Sequence, residues 1–260
     1  MLDEAAELAR ALGAARSGAL GVGVAGLLDR SRGLLAESPN LAFLRGLAIG
    51  AELAERLGLR SASVRLENDA NAAALGEQWL GAAKGLSDAL VVTLGTGIGG
   101  GAILAGRLYT GGGGRAGEIG HVVIDPAGPP CACGARGCSE TLASAAATAR
   151  RARERGLPRE RPGDVERLVA RAREGGAPEA RLLTEVGRDL GRALAAAVTL
   201  LDLEHVVFAG GFSAALDVLE EGIRAGLEER CFGRRDVRLS RAALGPAAGW
   251  IGAARLVLAP

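Results

Sequence analysis

Residues 94–109 read LGTGIGGGAILAGRLY, and the run just after the glycines decides the fold. GTGIGGG (95–101) fits the spacing G-x-G-x-x-G, which in a dinucleotide-binding unit must open directly into a helix. Here it opens into GAILAGRLY (101–109), a run with strand character, and it is preceded by DALVVTLG (88–95), another such run. The pattern predicts a hairpin with the glycines in its turn. Backbone N–H groups of such a turn can form an anion nest for phosphate; a tight turn without a ligand is the other reading.

Outward from the hairpin the chain alternates strands and helices, which indicates an α/β protein. Toward the N-terminus the sequence predicts a helix over 3–15, a buried strand over 19–26 (ALGVGVAG), a helix over 48–57 ended by Gly58, a strand over 63–68 and a helix over 70–82. Toward the C-terminus, residues 140–200 read as helices. The last of these carries Leu182, Val186, Leu190, Leu194, Val198 and Leu201 on one face. A strand over 205–211, a helix over 214–230, a short strand at 236–240 and a final helix over 249–258 complete the pattern.

The 260 residues are 48% apolar, enough for a sizeable core, and no run of about 18 apolar residues is present. The start has no basic segment followed by an apolar one, so the expected location is the cytoplasm and no membrane partner is expected. Thirty-one basic residues face 30 acidic ones, and the arginines of 150–192 are interleaved with glutamates. That balance argues against nucleic acid as a partner and for solvated helix faces.

Three of the four cysteines lie in CACGARGCSE (131–140). Cys131, Cys133 and Cys138 are one ligand short of a closed zinc site, and only two histidines are available. His205 opens a run of β-branched residues and reads as a strand start. His121 completes H-x9-C-x-C-x4-C, a Cys3His set suited to structural Zn2+. Three unconnected core cysteines are the alternative. Gly134 and Gly137 allow the tight turns that such a site needs. Cys231 reads as a small buried residue. In ENDANA (67–72), Asp69 lies where a strand passes into a helix. It is either a helix N-cap or a base aimed into a cleft.

ENDANAAALGE, LGTGIGGG, AGEIGH, the C-x-C-G-x-x-G-C-x-E array and AGGFS, in this order, resemble the ROK family (repressor, open reading frame, kinase) from about Gly21 onward. The resemblance implies an actin-like ATPase (ribonuclease-H-like) fold with two domains and a cleft between them. The expected division is 1–69 plus about 246–260 for an incomplete N-terminal unit, and 70–245 for the larger one. The implied activity is ATP-dependent phosphorylation of a hexose, or an amino-hexose derivative, at its primary hydroxyl, with Asp69 as general base. Asn40, Asn68, Asp69, Glu118, His121 and Glu140 match sugar-contacting positions, with His121 also on the zinc. Gly95, Thr96 and Gly97 match the second phosphate loop, and Gly210 and Gly211 the adenosine motif. ATP with Mg2+ and a homo-oligomer, a dimer, are expected.

Family kinases open with a strand and a D-x-G-G-T phosphate loop, and no such motif precedes Gly21. The expectation from this difference is that about three strands, roughly 40 to 50 residues, are absent. GVGVAG would then be an unpaired sheet edge, and ATP would bind weakly. A non-catalytic sugar-binding relative is the alternative function.

Overall fold

The computed structural model describes residues 1–30, 32–38, 41–157, 164–233 and 236–258. The chain opens with α1 (Leu2–Ala11) and α2 (Ala14–Ser17), which are separated at Gly13, where φ is +90°. The single helix expected over 3–15 is therefore two, because a left-handed residue cannot continue a right-handed helix. β1 (Leu20–Val24) comes next. Residues 27–47, for which the sequence predicts no element, then supply an antiparallel hairpin of β2 (Leu27–Asp29) and β3 (Leu34–Glu37). α3 (Ile49–Leu57) ends at Gly58 in the left-handed conformation, as expected, and crosses to β4 (Val64–Asn68). β4 lies parallel to β1, from Leu20 opposite Val64 to Val24 opposite Asn68. Parallel neighbours need such a crossover. Among the described residues β1 pairs with β4 alone.

α4 (Asp69–Leu80) carries the chain into a second sheet. This contains β5 (Ala89–Leu94), β6 (Ile98–Leu104) and β7 (Arg107–Tyr109), and its order is completed by two later strands. β5 and β6 form the predicted hairpin, with Leu94 opposite Ile98. Two details differ from the expectation. The strand starts at Ile98, so Gly99, Gly100 and Gly101 lie inside it and not in the turn. A Cβ on Gly101 would stand 2.5 Å from Ala74 Cβ of α4, and one on Gly100 would stand 2.5 Å from the Gly117 carbonyl oxygen. The glycines serve close packing against two neighbours. The run 101–109 is also broken, by a turn with Ala105 at φ +49° and Gly106 at φ +72°. Positive φ at both central residues is the geometry of a type I′ hairpin turn.

The helical segment resolves into α5 (Ser139–Ala143), α6 (Ala145–Glu154), α7 (Asp164–Arg173) and α8 (Ala177–Leu201). β8 (His205–Ala209), α9 (Leu216–Arg230), β9 (Arg238–Arg241) and α10 (Ala248–Leu258) complete the chain, and the large sheet runs β7-β6-β5-β8-β9. β8 is parallel to both β5 and β9. Side chains alternate across a strand, so β5 faces two layers. Leu90, Val92 and Leu94 join the core with α8 and α9, while Val91 joins Ala74 of α4 on the other face. Leu182, Val186, Leu190, Leu194 and Val198 of α8 are buried as predicted; Leu201 is not, being 39% exposed at the helix end. α8 meets α9 through glycines. A Cβ on Gly187, Gly191, Gly222 or Gly226 would fall 2.0–2.2 Å from a carbonyl oxygen of the facing helix. α10 returns to the first sheet, where a Cβ on Gly21 would stand 1.8 Å from the Ala253 carbonyl oxygen. No helix among the described residues is long and apolar enough to cross a membrane.

Candidate functional site

The β4–α4 junction fixes Asp69. Asn68, one residue earlier, is the helix cap: its Oδ1 accepts from Ala70 N at 2.9 Å and Asn71 N at 3.1 Å. Its Nδ2 donates to the Gly26 carbonyl oxygen at 3.1 Å. Capping therefore does not account for Asp69, which occupies the first helical position and accepts from Ala70 N at 3.0 Å. Its outer side is open to solvent. The protein packed around the rest of the carboxylate raises its pKa by desolvation, against the lowering effect of the N–H groups and Asn68.

Glu67, to which the sequence pattern gives no role, lies directly behind this junction and is 3% exposed. Its Oε1 accepts from Asn68 N at 2.9 Å and from Asn71 Nδ2 at 3.0 Å, so both flanks of Asp69 hang on one buried carboxylate. Arg30, at the end of the β2–β3 hairpin's first strand, supplies the countercharge at 2.5 Å. A Cβ on Gly114 would come within 2.9 Å of Arg30 Nε, so the guanidinium also touches the loop that leads to Glu118. A carboxylate at an inward position of a strand was the available signal for Glu67. For Arg30 there was none.

AGEIGH (116–121) is pressed against β6. A Cβ on Gly117 would stand 2.5 Å from the Gly100 carbonyl oxygen, and one on Gly120 would stand 2.0 Å from that of Ile98. This contact brings Glu118 into the field of His121, Asp69 and Glu140. Burial raises its pKa most, His121 lowers it, and the two acids raise it further. Glu140, in the first turn of α5, accepts from Ile98 N at 2.9 Å. A Cβ on Gly97 would stand 2.2 Å from Glu140 Oε2, so a larger residue there would displace this carboxylate. Asp69, Glu118, His121 and Glu140 are thus neighbours, with Asn68 at the edge. Asn40 lies outside the described residues.

His121, Cys131, Cys133 and Cys138 offer ligand atoms that all lie within 4.8 Å of one another. Cys131 Sγ is 3.6 Å from His121 Nδ1, and Cys133 Sγ is 3.6 Å from Cys138 Sγ. Zinc with sulfur ligands about 2.3 Å away has tetrahedral edges of about 3.8 Å, so the donor set fits that ion. Burial first, then the neighbouring thiols, push the Cys138 thiol up to about 12. Coordination would deprotonate it outright. His205 opens β8 and is not part of the cluster.

The 95–98 loop lies beside this cluster. Gly95 N donates to the Gly97 carbonyl oxygen at 3.0 Å, and Ile98 N is taken by Glu140. The N–H groups of Thr96 and Gly97 have no partner among the described residues, so the anion nest is narrower than the full glycine run suggested. Gly95, Thr96 and Gly211 line a cavity of about 270 Å³ whose apolar wall is Val165, Val169 and Phe212. Gly210, at φ +82°, ends β8 beside Leu94, whose carbonyl oxygen a Cβ would approach to 2.3 Å. Gly97 faces Glu140 instead, which places the loop between the carboxylate cluster and the cavity.

Residues 2–259 match the ROK family. A glucokinase from Thermotoga maritima is 39% identical over 213 residues, spanning 77% of this chain and 66% of that relative. The crystal structure of a ROK hexokinase from Thermus thermophilus has a TM-score of 0.79 at 38% identity, covering 97% of this chain and 82% of that one. A ROK family glucokinase from Streptomyces griseus, solved with glucose and AMPPNP, gives a TM-score of 0.77 at 34% identity, covering 92% and 80%. The α/β fold of this chain is the actin-like ATPase fold of these proteins.

Proposed function

The chain belongs to the ROK family, and we propose that it is a glucokinase-like sugar kinase that transfers the γ-phosphoryl group of ATP to the primary hydroxyl of a hexose. The observation that carries this reading is the meeting of Asp69, Glu118, His121 and Glu140 on one side of the 95–98 loop with a cavity on the other. A polyol needs several fixed acceptors and donors at once, and phosphoryl transfer needs one carboxylate at the attacking oxygen. In this reading Asn40, Asn68, Glu118, His121 and Glu140 hold the sugar hydroxyls.

Asp69 accepts the proton of the primary hydroxyl as that oxygen attacks the γ-phosphorus, and ADP leaves with the electrons of the broken P–O bond. Its raised pKa suits a base that must take a proton and release it. Thr96 and Gly97 offer free N–H groups to the phosphates from the 95–97 loop, while Gly210 and Gly211 border the adenosine. Val165, Val169 and Phe212 supply an apolar wall for a flat base. Mg2+ bound with ATP would supply countercharge to the phosphates. Zn2+ on His121, Cys131, Cys133 and Cys138 would have no open position and would act structurally, holding Glu118 and Glu140 on either side of one knot.

The test is sugar-dependent ADP release with glucose, mannose and N-acetylmannosamine, alongside calorimetry of each sugar alone. Glucose-dependent turnover is expected. Absence of ADP release with every sugar, together with absence of sugar binding, would overturn the reading.

A further inference from the structure

The larger cavity, about 580 Å³, lies away from Asp69 and from the 95–98 loop, between the cysteine loop and helices α6, α8 and α9. Four arginines face it: Arg150 and Arg151 of α6, Arg192 of α8 and Arg230 at the end of α9. Three carboxylates, Asp125, Glu154 and Asp189, share the lining. Asp189 accepts from Arg151 at 2.8 Å and from Arg192 at 3.2 Å, which fixes two of the guanidiniums at the rim. Each guanidinium carries five N–H donors. The bonds made to protein acceptors use fewer than half of those available. Arg230 is exposed and has no ion-pair or hydrogen-bond partner among the described residues. A cavity with surplus donors, planar forks and one uncommitted cation is complementary to a ligand made of acceptors and negative charge.

We propose that this cavity is a binding site for a phosphate dianion, free or as a monoester, and that its occupancy tunes the sugar site through α5. The connection is short and runs through hydrogen bonds to one helix. Arg150 donates to the Thr141 carbonyl oxygen at 2.5 Å and Arg151 to that of Leu142 at 2.7 Å, so the cavity's own arginines hold the last turn of α5. The first turn of the same five-residue helix carries Glu140, bonded to Ile98 N. An anion that draws these guanidiniums into the cavity competes with the two carbonyls and shifts Glu140. Linkage makes the effect reciprocal: whatever phosphate does to sugar affinity, sugar does to phosphate affinity. The coupling rests on the sugar-kinase reading; the anion site does not.

The experiment is calorimetry on the whole chain, with saturating AMPPNP to fill any nucleotide site. Inorganic phosphate and glucose 6-phosphate are titrated separately against sodium chloride at matched ionic strength. Both phosphates are expected to bind, and Arg230→Ala, at an exposed position outside the proposed active site, is expected to weaken them by about tenfold or more. Binding restricted to one of the two phosphates would identify the source and still support the site. Glucose affinity should change when phosphate saturates the parent chain and stay unchanged in Arg230→Ala. Heat equal to that of sodium chloride, or phosphate binding unaffected by both Arg230→Ala and Arg230→Glu, would overturn the site. Phosphate binding that depends on Arg230 but leaves glucose affinity unmoved would overturn the coupling alone. No glucose binding under any condition would overturn the sugar reading, and the coupling with it, while Arg230-dependent phosphate binding would still support the site.

Discussion

The two sides of the carboxylate cluster are built by different physics. Asp69 sits where a strand meets a twelve-residue helix, and Asn68, Glu67 and Asn71 tie that junction together with hydrogen bonds. The side that carries His121 and leads to Glu140 is a loop with a three-residue 3-10 turn and two isolated bridges, Val123 with Cys138 and Pro130 with Arg136. The first side is ordered by regular secondary structure. The second has little of it, and its four soft donors lie within 4.8 Å of one another, a set that fits a zinc ion. In the proposed reading, a base on the regular side is set against a sugar-facing loop whose order ligation would reinforce.

The largest effect is expected on the regular side. Asp69→Asn should lower sugar-dependent turnover by about two to four orders of magnitude while leaving glucose affinity within a small factor. Turnover near the parent value would reduce Asp69 to a helix residue.

Metal removal should act on the other side alone. At free zinc a thousandfold above its Kd, a site present only in the folded chain stabilises it by about 4 kcal/mol. Chelation or Cys138→Ser should lower the unfolding midpoint accordingly and speed hydrogen exchange in 119–139. Exchange in α4 should change little. Equal loosening of both regions would erase the contrast, and purified protein without zinc would remove its cause.

A smaller loss is expected when the regular side loses its countercharge. Arg30→Ala leaves Glu67 buried without its cation, and the cost should be about 1–3 kcal/mol. This is below the range for wholly buried pairs, because Arg30 is 39% exposed. Turnover should fall with it, through the position of Asp69, and Arg30→Lys should restore part of both. A stability loss without any change in turnover would confine the pair to a structural role.

The smallest effect concerns pH. Burial raises the Asp69 pKa above its unfolded value, so the stability this group contributes is full below the unfolded pKa and is lost as pH rises through the folded one. Asp69→Asn should therefore be slightly more stable than the parent at about pH 7, with the difference closing toward about pH 3. Denaturant melts across that range measure it. A variant less stable at neutral pH would mean that the Ala70 N–H bond outweighs desolvation.

Several features were legible in the sequence because they act locally. The run after GTGIGGG reads as a strand, which argues against a helix there from local sequence alone. The spacing of Leu182, Val186, Leu190, Leu194 and Val198 defines a buried face within one helix. Two histidines and a clustered cysteine array leave few ways to complete a soft ligand set. What tertiary structure alone decided depends on which distant backbones touch. Asn68 and not Asp69 is the cap because α4 begins one residue later than the strand ends, a phase that a sequence pattern does not resolve. The glycines of β6 answer to α4 and to Gly117, and those of α8 answer to α9. Arg30 reaches Glu67 across 37 residues. The arginines of α6 and α8, which read as solvated and salt-bridged helix surface, share a cavity because two helices and the end of a third converge on the cysteine loop. Local preference is set by each residue's own backbone and near neighbours, whereas these contacts exist only after chain segments far apart in sequence have been brought together at close-packed distances.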